Sequence, residues 1–440
     1  MSGENSYSYR SILSQHQFFY NPRDESRFLN LVVGEKQISD EKKNKILKAI
    51  KLGQDSQYFQ AYQAFENEIK FISKITNFKV KDDSVVAKFQ NGFSGSFDPH
   101  LIANNPDDFY NLISSLMFVK IRKSDLGWEI VDIYSVEPPN NYEIAKELLE
   151  KADAEHQTWA LLLDAFGYDS PKFEINDIFM FLPRLFPLFK SPVTKRRVNY
   201  IEISNRGTGK TTTFMLLQEI FNFRYYTEPP SYANLIYDAR NNMMGAVFLS
   251  KGLIFDEIQT WKDSISRNNL MAINSSLSTG IENCIWTRGA GTESKSTTIH
   301  NCIPIIYAGN PYSLVLDRYA SPDVEEYLAK YEVFTSAILD RIHIIQLAIK
   351  KTYDKIISGK VVFPSILKAL VELIQQKIDK QSKYADCTNL ESRSHEQSID
   401  LQLIFQGLDI SLGDIENQKD EICEKITNFM RYNGLGVDRQ

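Results

Sequence analysis

The sequence predicts an α/β chain: a five-stranded parallel sheet with helices on both faces and a phosphate-binding loop, followed by an α-helical lid and preceded by a small α+β domain. Three observations predict it. From Val198 onward, short apolar runs alternate with helical segments, the pattern of a parallel sheet covered by crossover helices. The first of these runs leads into a glycine-rich turn that ends in Lys210-Thr211, and a later one ends in two adjacent carboxylates, Asp256-Glu257. Beyond Lys350 the apolar positions recur at helical spacing, among them Ile366, Leu370, Ile374 and Ile378.

With 440 residues the chain exceeds one ordinary domain. Residues 37–68 are charged and helical, and Phe71–Val80, Val85–Phe89, Met117–Ile121 and Trp128–Tyr134 alternate as strands do. These make an N-terminal α+β domain, residues 1–140, a candidate for binding DNA or a partner. It closes at Glu137-Pro138-Pro139-Asn140-Asn141, which breaks any continuing element. Residues 141–197 form a helical bracing segment: Tyr142–Phe166, then an apolar stretch, Ile175–Phe189, interrupted by Pro183 and Pro187. The core spans 198–350, with strands expected at Val198–Ile203, Leu235–Tyr237, Leu253–Phe255, Cys302–Ala308 and Ile342–Leu347. Residues 351–440 supply the lid and a C-terminal segment.

Composition narrows the function. No long apolar run could span a bilayer, and the first twenty residues lack a basic stretch followed by an apolar one, so a cytoplasmic protein is expected, with no membrane partner. A formal net charge of −6 excludes a chain coated in positive charge, so any nucleic-acid contact needs a local patch. Cys284, Cys302, Cys387 and Cys423 include no C-x-x-C pair; they fit neither a zinc site nor a disulfide framework and read as packed thiols.

Ser204-Asn205-Arg206-Gly207-Thr208-Gly209-Lys210-Thr211 lies between an apolar strand and a helical stretch, where a phosphate-binding loop belongs. Gly207 and Gly209 let the backbone N–H groups around Arg206 and Thr208 turn toward phosphates, and the next helix, entered through Thr211 and Thr212, adds its positive end. Lys210 would reach the β and γ phosphates of ATP, and Thr211 would ligate Mg²⁺. The first position, usually glycine, is Ser204. Asp256, at the C-terminal end of its strand, would hold Mg²⁺ through water, and Glu257 would polarise the attacking water. Asn310, after the run to Gly309, would orient that water; it also reads as a turn-forming Asn-Pro. Arg341 would neutralise charge in a neighbouring subunit's site, the alternative being a surface ion pair with Asp340.

These elements in this order resemble the AAA+ superfamily, and more closely the BrxL-like (Lon-like) ATPases of BREX phage-defence systems. The resemblance rests on Glu155-His156-Gln157-Thr158-Trp159-Ala160-Leu161-Leu162, on Arg206-Gly207-Thr208-Gly209-Lys210, and on Gly245-Ala246-Val247-Phe248 followed by Phe255-Asp256-Glu257. Lys70-Phe71-Ile72-Ser73-Lys74-Ile75 and Trp128-Glu129-Ile130-Val131-Asp132 resemble that family's β-rich N-terminal domain. It covers most of residues 65–345. It implies a Mg²⁺-dependent ATPase working as a ring, a hexamer or double hexamer, on duplex DNA in antiviral defence, with other defence-system proteins as further partners. The family's protease-like domain, with its Ser-Lys pair, is not expected, since only about a hundred residues follow Arg341. In the lid, Arg393 is the candidate second nucleotide-sensing arginine, although Ile399 and Asp400 stand where the family carries basic residues.

The core is also similar to MCM helicases, which carry a β-hairpin after the paired carboxylates. Ile281–Trp286 and Ser296–Cys302 would be its strands, with Arg288 and Lys295 at the tip contacting DNA phosphates; Glu293 dilutes that charge. Two other uses remain open: a protein remodeller whose pore is lined near Trp286 and Tyr307, and a scaffold in which ATP only governs assembly.

Overall fold

The computed structural model describes residues 8–431 except 16–18, 21–26, 35–36, 82–83, 102–112, 114, 239–242, 262–266, 289–296, 312–323, 332, 349–357 and 389. Near the N-terminus, α1 (Asp40–Gln54) starts at Ser39, whose side chain accepts the N–H of Lys42, and places Asp40 and Glu41 at its positive end. Asp55 then caps α2 (Ser56–Phe65).

Five strands follow: β1 (Glu68–Lys81), β2 (Ser84–Phe89), β3 (Ser94–Phe97), β4 (Leu116–Ser124) and β5 (Gly127–Ser135). β1 is long enough to serve two partners. Its first half, Glu68–Lys74, pairs antiparallel with β4, and its second half, from Ile75, pairs with β2. β2 continues to β3 and β4 to β5. β3 lies against β5 where Gly95 brings the backbone close to Ile130, a fit that leaves little room for a side chain. This is the order of a five-stranded, partly open Greek-key barrel of the OB type. Its interior is filled by Phe71, Phe89, Phe93, Met117, Val119 and Ile133.

After residues 136–141, which hold neither helix nor strand, Asn141 caps α3 (Tyr142–Ala154), and α4 (Thr158–Ala165) follows. The parallel sheet comprises β6 (Tyr200–Ser204), β7 (Phe223–Tyr226), β8 (Gly252–Phe255), β11 (Ile305–Gly309) and β12 (Ile344–Ala348), ordered β12-β6-β11-β8-β7. Between β8 and β11 come the hairpin strands β9 (Ile285–Arg288) and β10 (Thr297–His300). β6, β8 and β11 are buried along their whole length, as strands covered on both faces must be. Tyr200, Ile254, Ile306 and Ile344 face one apolar core, while Ile201, Leu253, Ile305 and Ile345 face the other.

The expected strand Leu235–Tyr237 is corrected. Leu235 ends a short helix, Tyr232–Leu235, and Tyr237–Asp238 pairs with Met243–Met244, which adds to β1 at Phe78. The fifth parallel strand is β7. Its four residues include Arg224 and lie at the sheet edge with only Phe223 buried, so it lacks the apolar run that marks the other strands.

The helices around the sheet are α5 (Lys210–Phe221), α6 (Arg267–Asn283), α7 (Pro364–Asp379), α8 (Ser392–Gly407) and α9 (Lys419–Met430). Ile366, Leu370, Ile374 and Ile378 of α7 are fully buried, against the same core as Ala145 and Leu148 of α3. The C-terminal helices thus share a core with the bracing segment. No helix among the described residues is long and apolar enough to cross a membrane.

The cysteines are also corrected: Cys284 is bonded to Cys302 and Cys387 to Cys423, at separations of 18 and 36 residues. Neither pairing shows in linear spacing. The first depends on the hairpin bringing the end of α6 beside the strand that returns, and the second on α9 packing across the segment before α8.

Candidate nucleotide site

β6 ends at Ser204 and α5 begins at Lys210; the intervening turn runs through Gly207 at φ +83° and Gly209 at φ +80°. Glycine is needed there for backbone conformation rather than for space at Gly207, where a side chain would meet nothing. The first turn of α5 directs its N–H groups and positive dipole end into the cleft.

That cleft, about 370 Å³, is lined by Asn205, Arg206, Gly207, Thr208, Gly209, Lys210, Thr211 and Thr212 on one side and by Asp256, Glu257 and Asn310 on the other. Three strand ends bring them together: the loop follows β6, the carboxylates follow β8, and Asn310 follows β11, the strand between those two. All lie at the carboxyl edge of a parallel sheet, where ligands of open α/β sheets bind.

The Lys210 ammonium donates to the carbonyls of Ser204 (2.7 Å) and Gly309 (2.9 Å) and to Oδ1 of Asn310 (3.3 Å). Nδ2 of Asn310 donates to Oε2 of Glu257 at 3.1 Å. One amide therefore joins the lysine to the carboxylate. Burial lowers the Lys210 pKa, opposed chiefly by Glu202 and Asp256. Glu257 sits at φ 53°, a left-handed conformation that costs a residue with a side chain and clusters at functional sites. Asp256 is buried and accepts the N–H of Glu257 at 2.8 Å.

Three neighbours escape a sequence reading. Gln259 hydrogen-bonds the Glu257 carboxylate and accepts the N–H of Asn310 at 2.9 Å, fixing both. The Tyr225 hydroxyl donates to Asp256 at 2.5 Å, and burial together with that carboxylate raises its pKa, so it remains a donor. Beneath the loop, Glu202 of β6 accepts from Ser204 Oγ at 2.6 Å, and Ser204 Oγ lies 3.1 Å from Thr208 Oγ1. This accounts for serine where glycine is usual: its hydroxyl ties the start of the loop to a buried carboxylate. The available signal was Glu202 itself, a lone acid in an apolar strand.

Arg341 and Arg393 lie elsewhere. Arg341 precedes β12, whose Ile344 pairs with Tyr200, so it stands at the sheet edge opposite the loop. It pairs with Glu282, at the end of α6, rather than with Asp340. Arg393 donates to the same carboxylate at 2.7 Å and reaches Asp340 at 3.5 Å. Within one chain Arg393 thus joins Arg341 and not Lys210. Hydrogen bonds from both arginines, Arg341's foremost, hold the Glu282 carboxyl below the usual range.

Arg288 closes β9, paired to Thr297. Its side chain, Lys295 and residues 289–296, the expected hairpin tip, lie outside the described residues. Trp286 and Tyr307, considered as pore-lining, are both fully buried, and Trp286 donates its indole N–H to Asn301 O at 2.9 Å. Side chains sealed in a core cannot grip a polypeptide.

Among known proteins, uncharacterised protein 440 of Sulfolobus islandicus rod-shaped virus 1 is 70% identical over 96% of each chain. Uncharacterised protein ORF426 of Acidianus filamentous virus 1 is 33% identical over 95% of this chain and 98% of its own length. Uncharacterised protein ORF425 of Acidianus filamentous virus 2 is 26% identical over 63% of this chain. The family described as "Lon-like protease BrxL-like, ATPase domain" matches residues 129–387, a span holding the bracing segment, the loop, both carboxylates, Asn310 and Arg341. The chain therefore belongs to the BrxL-like ATPase family.

Proposed function

We propose that the chain hydrolyses ATP with Mg²⁺ as an AAA+ ring, a hexamer or double hexamer, and uses the turnover to move or clamp duplex DNA. The observation that carries the ATPase part is the single hydrogen-bonded path Lys210–Asn310–Glu257 across one cleft. Lys210 binds the terminal phosphates, Glu257 orients the attacking water and accepts its proton, and Asn310 holds the two in register. The strand order β12-β6-β11-β8-β7 supports the AAA+ assignment.

Among the described residues no group of three His, Cys, Asp or Glu could hold a metal by itself. That suits Mg²⁺, which takes few protein ligands and completes its shell with water and phosphate. Thr211 and Asp256 would hold it, and it would neutralise charge on the phosphates. Arg341, at the far edge of the sheet, would serve the neighbouring subunit's site, and Arg393 beside it would follow it there.

DNA is supported by the hairpin β9–β10, whose first strand ends at Arg288, with Lys295 following in the sequence before the second strand, and by the OB-type barrel, an architecture used for oligonucleotide binding. The three relatives are viral proteins, which favours handling of a virus's own DNA over the antiviral defence that the BREX resemblance implies. The test is ATP hydrolysis by the purified chain with and without duplex DNA at low salt. Turnover stimulated by duplex is expected. Turnover with neither stimulation nor duplex binding overturns the DNA part, and absence of ATP binding overturns the whole.

A further inference from the structure

Arg184 lies in the apolar stretch of the bracing segment and is fully buried, as is its partner Glu202. The pair is bidentate: Nε donates to Oε2 at 2.8 Å and Nη2 to Oε1 at 2.7 Å. Such a pair can be merely structural. Here the remaining nitrogen, Nη1, donates to the main-chain carbonyl of Thr208, inside the phosphate loop, at 2.9 Å, and also reaches the Tyr168 hydroxyl at 3.3 Å. Tyr168 in turn lies 2.5 Å from Thr213 Oγ1, in the first turn of α5.

The consequence follows from peptide geometry. In a planar trans peptide the C=O and the next N–H point in opposite directions. Holding the Thr208 carbonyl down toward Arg184 turns the Gly209 N–H up toward the cleft that Gly209 lines. We propose that Arg184 is a positioning residue for the phosphate loop: its guanidinium fixes the Thr208–Gly209 peptide so that the Gly209 N–H faces the phosphates of a bound nucleoside triphosphate. Its charge has a second effect. Glu202 carries a carboxylate beneath Lys210; burial alone would raise its pKa, and the adjacent Arg184 instead holds it low. With Arg184 satisfying that carboxylate, Lys210 remains available to phosphate oxygens. The bracing segment is thereby part of the nucleotide site, although none of its residues lines the cleft.

This inference rests on the cleft binding ATP, and the experiment separates the two. Wild-type chain is titrated with trinitrophenyl-ATP and Mg²⁺; failure of the wild type to bind overturns the ATPase reading and this inference with it, whereas the comparison of variants with a wild type that binds bears on Arg184 alone. Arg184→Met alone leaves Glu202 buried without its partner, so the double variant Arg184→Met/Glu202→Gln, which leaves no lone buried charge, is measured beside it. Both are expected to bind the analogue at least about tenfold more weakly than wild type, the loss of one aligned charge-assisted phosphate contact. A folded double variant that binds as tightly as wild type overturns the proposal, since the pair would then serve only packing. A readout independent of variants is amide exchange at Gly209 in the wild-type chain. Adding ATP and Mg²⁺ should slow it, and unchanged exchange while the analogue binds also overturns the proposal.

Discussion

Two arginine–carboxylate groupings sit at opposite ends of the same strands, and they are built differently. Under the loop, Arg184 and Glu202 are sealed from water and matched one to one, with the remaining nitrogen, Nη1, spent on the loop and on Tyr168. At the other edge, Arg341 and Arg393 share the single carboxylate of Glu282, and Arg393 is 43% exposed. A sealed pair is expensive to break, because the survivor is left as an unpaired buried charge at about 3–5 kcal/mol. A half-exposed pair contributes about 1 kcal/mol or less. The first arrangement suits a part that must not move; the second suits side chains that exchange one anionic partner for another.

The largest expected effect removes the working end of the rigid site. Glu257→Gln should abolish hydrolysis while the chain still binds ATP, measured as phosphate release against analogue binding; retained turnover would move the water-activating role to another group. Next comes the exchangeable edge. Arg341→Ala should lower turnover by about three orders of magnitude while analogue binding by its own cleft is unchanged, as expected of an arginine acting on a neighbour. Mixing it with a Lys210→Ala chain sharpens the point: subunits broken at different edges should restore some activity when assembled together, and silence of the mixture would argue that both residues serve one site.

Reducing the disulfides should cost stability without removing the cleft. Opening the 18-residue loop between Cys284 and Cys302 is worth about 3 kcal/mol by chain entropy, and the longer Cys387–Cys423 loop somewhat more. Thermal melting with and without reductant measures it. The smallest effect is acid sensitivity at Glu282. Its folded pKa is depressed, so the stability it contributes is present above the ordinary carboxylate pKa and lost as pH falls through the depressed value. Melting temperatures of wild type and Glu282→Gln should differ at neutral pH and converge in acid; a gap that persists in acid would mean the carboxylate acts by packing.

Legibility in the sequence followed how locally each feature is encoded. The loop, the paired carboxylates and Asn310 were readable because each follows a fully buried strand, which writes a predominantly apolar run before it. β7 was not, because an edge strand needs no such run and Arg224 interrupts it. Tyr225 and Gln259 were invisible for a related reason: their roles come from what β7 and β11 place beside them, not from spacing. Arg184 left a trace, a single cation inside an apolar stretch, matched by Glu202 in an apolar strand. Reading two such misfits as one buried pair requires knowing that the stretch packs under β6. The neighbours of Arg393 were not legible, since a helix address in the C-terminal segment does not say which edge of the sheet it overlies. The disulfides failed because both join residues that only the completed fold makes adjacent.

The covalent bond at the root of the β9–β10 hairpin has a mechanical meaning. It fastens Cys284, the residue just past α6 and two beyond Glu282, to the chain returning toward β11, so the hairpin cannot peel apart at its base. The base of the ribbon is thus anchored covalently beside the carboxylate that holds both edge arginines.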